Sequence, residues 1–99
     1  MGVLVAPAIL EAVQVINDDP ALLPGHTMAW AWADDRCNVV ASSIATSDLV
    51  ETIKVDVVLG PSCSLATDVV SYWKHIPFVS WSAGAPIFSD KELYPNFVR

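Results

Sequence analysis

Two cysteines, a turn of small hydroxyl residues and a tryptophan ahead of a second small-residue loop are the residues of this 99-residue sequence best suited to chemistry. Cys37 and Cys63 stand 26 positions apart. Oxidised, they would close a loop whose lost chain entropy stabilises a fold by roughly 3–4 kcal/mol, and they would belong in an oxidising compartment. Reduced, they would be two free thiols of an intracellular domain, and the spacing alone leaves both states open. With His26 and His75 they show none of the paired-ligand spacing of a zinc site, so no metal is expected.

Gly60-Pro61-Ser62-Cys63-Ser64 follows an apolar run and opens a helical pattern. Amides at such a strand-to-helix turn point outward, and the helix dipole favours a carboxylate or a halide there. Equally, Ser62 could do no more than cap the helix. The turn also approximates the Gly-x-Ser-x-Gly nucleophile elbow of hydrolases. Ser64 replaces the second glycine, however, Pro61 is an unusual occupant, and the only downstream histidine is His75. Trp81 precedes the loop Ser82-Ala83-Gly84-Ala85-Pro86 and is the better candidate for ligand contact. Trp30 and Trp32 share one face of an expected strand and suit packing. Asp34 and Asp35 form an adjacent acidic pair, which reads as a solvated loop.

The elements that must position these groups follow from periodicity. Apolar Ile9, Ala12, Val13 and Ile16 predict a helix over 8–16, with Pro7 in its first turn, stopped at Asn17-Asp18-Asp19-Pro20. Alternating large and small residues predict a strand over 27–33. A helix over 39–54 carries the stripe Val40, Ile44, Leu49, Ile53. Strands over 55–59 and 76–81 are apolar enough to be covered on both faces, and 63–74 reads as helix between them. Asp90 to Arg99 shows no clear period. Strands alternating with helices imply an α/β fold with a parallel, doubly wound sheet. Such a unit normally opens on its central strand; this chain opens on a helix, so the first strand is expected to be missing. Ligands of these sheets bind beyond the carboxyl ends of the strands, where Gly60–Ser64 and Ser82–Ala85 would both lie.

Eleven acidic against five basic residues, net charge −6, exclude a nucleic-acid binder and a protein that docks on anionic membrane surfaces. No apolar run reaches the ~20 residues of a spanning helix, and Met1 to Ala6 lack the basic start of a signal peptide. With 54% hydrophobic and 16% charged residues, the chain is too apolar for a small free-standing surface and reads as part of a larger body.

Six elements carry a family resemblance: Pro7-Ala8-Ile9-x-x-Ala12-Val13-x-x-Ile16-Asn17, Leu23-Pro24-Gly25, Asp34/Asp35-x-Cys37, Leu59-Gly60-Pro61-x-Cys63-Ser64, Ser80-Trp81-x-Ala83 and Tyr94-Pro95-x-Phe97-x-Arg99. In this order they resemble the ligand-binding region of the ANF receptor family, within the periplasmic-binding-protein type I superfamily. They look most like natriuretic-peptide receptors and other receptor guanylate cyclases, with metabotropic GABA receptors next.

The resemblance implies that residues 1–99 are the N-terminal part of lobe I of a two-lobed, Venus-flytrap-like ectodomain. It places the chain on the extracellular side of the plasma membrane, with an anchor beyond Arg99. It implies a Cys37–Cys63 disulfide and, together with the sheet-edge reading above, gives the candidate ligand contacts Ser62, Cys63, Ser64, Trp81, Ser82, Ala83 and Gly84. In the amino-acid-binding relatives a serine at the position of Ser64 holds the ligand carboxylate. A second relative serine falls at Gly84, which has no hydroxyl. In the natriuretic-peptide receptors chloride sits at the amides matching Ser62 and Cys63, with a serine from the segment before the first cysteine; Trp30–Arg36 contains none. No other cofactor is implied. The expected partners are a peptide hormone or small-molecule ligand and a second receptor chain in a homo- or heterodimer. The chain itself would be no enzyme, although its parent could carry a cyclase domain. The alternatives are a GABA-B-like class C receptor ectodomain, a soluble periplasmic-type binding protein and, remotely, a serine hydrolase using Ser62.

Overall fold

Helix α1 spans Gly2–Asp18 in the computed structural model, which describes residues 2–67 and 72–98, with side chains from residue 6 onward. It begins earlier than its periodicity suggests, so Pro7 lies inside the helix rather than in its first turn. Proline has no N–H to bond the carbonyl four residues back, and the turn before it is held without that bond. No described helix is long and apolar enough to cross a membrane.

The chain divides into two compact units, Met1–Ala31 and Trp32–Arg99. In the first, Asn17 acts as a peptide mimic. Its Oδ1 accepts from the Met28 N–H at 2.7 Å and its Nδ2 donates to the Met28 carbonyl at 2.9 Å. The expected strand over 27–33 forms no ladder. Its backbone finds this one side chain where a strand partner would lie, and Trp30 and Trp32 are both exposed, contrary to a packing role. Asn17→Ala is therefore expected to speed hydrogen exchange at the Met28 amide severalfold while lowering stability by about 1 kcal/mol per lost bond. An unchanged Met28 exchange rate would show that the pairing holds nothing.

In the second unit, helix α2 runs Val39–Ser47, capped by the Asn38 side chain accepting from the Ala41 N–H at 3.0 Å. It continues as a π-helical turn over Asp48–Ile53 and ends at Lys54 in the left-handed region. The expected apolar stripe faces the wrong way. Val40 and Ile44 are 68% and 69% exposed, whereas Ser42, Thr46 and Val50, at i, i+4 and i+8, are buried. The reason is close approach. The short helix α3, Ser64–Thr67, packs against α2, and the Ser42 hydroxyl donates to the Ala66 carbonyl at 2.9 Å. A bulky residue at 42 would hold the helices apart, so the small polar residues take the inner face. The helix expected over 63–74 is described only to Thr67. Residues 68–71 lie outside the described residues, and 72–74 are not α-helical.

Three short strands form a parallel sheet in the order β1-β2-β3: Val58–Leu59, Phe78–Val79 and Phe97–Val98. Val58, Phe78 and Phe97 are in register, as are Leu59, Val79 and Val98. The first row joins a core of Phe78, Ala83, Phe88, Tyr94 and Phe97. Phe88 meets Tyr94 edge-on at 5.0 Å and Phe97 at 5.3 Å. The second row is exposed, so within this unit the sheet is covered on one face rather than on both.

The third strand comes from a segment without sequence period. Asn96 anchors it by donating to the Trp73 and Ile76 carbonyls at 2.8 and 2.6 Å, while Lys91 Nζ donates to the Phe97 carbonyl at 2.7 Å. The mixed helix and parallel-sheet architecture is that of a partial α/β lobe.

Candidate functional site

Two loops leave the sheet at the same end, one after β1 and one after β2. Gly60 turns the first loop with a φ of +120°, a conformation L side chains rarely adopt. Its N–H still belongs to the ladder, donating to the Val79 carbonyl at 2.7 Å. The loop then runs through buried Pro61 to Ser62, Cys63 and Ser64, all partly buried. The second loop begins at Ser80, whose N–H donates to the Val98 carbonyl at 2.8 Å.

Three side-chain hydrogen bonds lace the loops together. Ser80 Oγ donates to the Pro61 carbonyl at 2.7 Å, Ser82 Oγ donates to the Ser62 carbonyl at 2.6 Å, and the Ala85 N–H donates to Ser64 Oγ at 3.4 Å. The sequence-predicted residues Ser62, Cys63, Ser64, Trp81, Ser82, Ala83 and Gly84 are thus brought to one edge of one sheet. Trp81, Ser82 and Gly84 are exposed there, whereas Ala83 is 1% exposed and its methyl belongs to the core.

The two hydroxyls differ chemically. A serine has one proton to donate and two lone pairs. Ser82 already directs its proton to the Ser62 carbonyl, so it can only accept from a ligand. Ser64 accepts from Ala85 and, among the described residues, keeps its proton for a further acceptor such as a carboxylate oxygen.

Cys37 and Cys63 form a disulfide with a Cα–Cα distance of 5.5 Å, which fixes the first loop to the turn before α2. That turn explains the acidic pair. Asp34 Oδ1 accepts from the Arg36 N–H and Asp35 Oδ1 from the Cys37 N–H, each at 2.9 Å. Arg36 and Cys37 adopt φ values of 50° and 51°, a left-handed conformation that these short side-chain bonds support. The aspartates therefore present Cys37 to Cys63. Among the described residues no cluster of three or more His, Cys, Asp or Glu could hold a metal ion.

Sequence reasoning placed Ser80 in a family motif but gave it no role at the site; it is buried and sits between the two loops. The available signal was a hydroxyl residue directly after an apolar strand, where a buried polar group must find partners.

A model of the receptor family ligand-binding region matches residues 4–99. Glutamate receptor 3.1 of Oryza sativa subsp. japonica is 34% identical over 102 residues, covering all of this chain and 11% of that protein. The Resact receptor of Arbacia punctulata is 27% identical over 95% of the chain and 10% of its own length. The Speract receptor of Strongylocentrotus purpuratus is 28% identical over 93% of the chain and 8% of its own length. The chain thus spans about a tenth of the length of the curated relatives it matches. A ligand-binding region holds its ligand without transforming it, which sets aside the hydrolase reading of Ser62. The chain belongs to the receptor family ligand-binding region, is a partial α/β lobe of the periplasmic-binding-protein-like kind, and is not itself an enzyme.

Proposed function

We propose that this chain forms part of the first lobe of a receptor ectodomain, held on the extracellular side of a membrane, and that the laced loops after β1 and β2 contact its ligand. Ser62, Cys63, Ser64, Trp81, Ser82 and Gly84 supply the contacts, with Ala83 contributing main chain. The supporting observation is the convergence of both loops at one sheet edge, with the Ser64 proton free among the described residues and Trp81 exposed in the second loop. In this reading the ligand carries a carboxylate, and binding shifts the population between lobe arrangements. Following the resemblance, the parent is read as a receptor of the guanylate cyclase kind working as a dimer, and the likeness to the Resact and Speract receptors supports its being a receptor. A chloride at the Ser62 and Cys63 amides belongs to that same reading.

A second reading, an amino-acid receptor, is favoured by the likeness to the rice glutamate receptor. Titrating the nitrogen-labelled protein with L-glutamate and, separately, with resact distinguishes them, following the amide signals of residues 62–64 and 81–85. Saturable shifts at these residues are expected with one of the two probes. Ser64→Ala should weaken that binding about tenfold, the loss of one hydrogen bond to a charged group. Shifts confined to other residues, or no binding of either probe, would overturn the placement of the site.

A further inference from the structure

We propose that Ser80 is the positioning residue of this crevice, setting the spacing between its two loops without touching the ligand. The inference rests on the ligand-binding reading of those loops. Ser80 is 4% exposed, and its hydroxyl is used to capacity. It donates its one proton to the Pro61 carbonyl at 2.7 Å, and its two lone pairs accept from the Ser82 N–H at 3.4 Å and the Ala83 N–H at 3.1 Å. Nothing is left for a ligand.

The three bonds nevertheless decide where the ligand-facing groups stand. One reaches back to the first loop, immediately before Ser62. The other two fold the second loop over the end of β2, so that Ser82 can reach the Ser62 carbonyl at 2.6 Å. Ser80 is itself anchored, because its N–H is held by the Val98 carbonyl and the neighbouring Phe78 lies in the core. The rigid sheet therefore sets the geometry of both loops through one side chain. The Ser82–Ser62 and Ala85–Ser64 bonds are closer to solvent and complete the arrangement rather than impose it.

The test compares wild type, Ser80→Ala and Ser80→Thr by amide hydrogen exchange and by L-glutamate and resact titration. In Ser80→Ala the Ser82 and Ala83 amides should exchange roughly tenfold faster, matching the loss of one to two hydrogen bonds, while the Phe78 amide keeps its wild-type rate. Affinity for whichever probe binds wild type should fall about tenfold. Ser80→Thr, which keeps the hydroxyl, should restore both. Equal acceleration at Phe78 would mean a general loss of stability and would overturn the proposal, as would a threonine variant as loose as the alanine variant. If neither probe binds wild type, the ligand reading fails separately, and the exchange pattern alone decides whether Ser80 spaces the loops. Should Ser80→Ala not fold, Ser80→Cys, close in size but a weak hydrogen-bonding group, is read by the same amides.

Discussion

Replacing Cys37 and Cys63 together by serine is expected to lower the free energy of unfolding by about 3–4 kcal/mol. The bond closes a loop with a sequence separation of 26, which contains α2, the π-helical turn and β1. Releasing it restores that loop's freedom to the unfolded chain. The effect is large against the ~5–15 kcal/mol that holds a whole domain together. Urea unfolding with and without a reductant gives the measurement. Reductant should shift the wild-type midpoint by as much as the double substitution does, and should leave the double variant where it is. A wild-type midpoint indifferent to reductant would show that the disulfide contributes nothing to stability. The substitution should also loosen the site, because Cys63 lies between Ser62 and Ser64 and loses its tie to the turn made by Asp34 and Asp35.

Phe97→Ala should cost about 3–5 kcal/mol, the range for emptying a buried aromatic position. Phe97 is 1% exposed, pairs in register with Phe78 and meets the Phe88 ring at 5.3 Å. Its neighbour Val98 sits on the opposite face of the same strand and is 57% exposed, so Val98→Ala should stay within about 0.5 kcal/mol. Chemical denaturation of the two variants side by side tests both the strand and its orientation. Similar losses for the pair would mean that the second sheet face is covered as well, or that β3 does not form.

The elements differ in how far they could be read from sequence. Those carrying a local pattern were legible: α1 from Ile9, Ala12, Val13 and Ile16, β1 and β2 from apolar runs ending in turns. The loops after β1 and β2 were legible too, because Gly60-Pro61 and Gly84-Ala85-Pro86 are strong chain punctuation, and because in a parallel sheet the loops that follow neighbouring strands must emerge at one end. The cysteine pairing was open on spacing alone and was indicated only through the resemblance.

Other features had no local signal. The stripe Val40, Ile44, Leu49, Ile53 has helical spacing, yet Ser42 and Thr46 face inward because α3 comes close enough to need small residues. That is a property of two helices together. The strand expected over 27–33 has the right alternation but no ladder partner among the described residues, and strand formation depends on pairing as much as on pattern. Conversely, Phe97–Val98 has no period to announce it. It becomes a strand because β2 offers an edge and Asn96 ties its start to the Trp73 and Ile76 carbonyls.

The sequence by itself determined the α/β class, the family, the cysteine candidates and the two loops, all of which follow from residue type, order and short-range spacing. Only the tertiary structure decided which faces are buried and that Ser80 stands between the loops. Those outcomes turn on which hydrogen-bonding groups meet across 19 to 24 residues of chain, a distance over which no local pattern carries information.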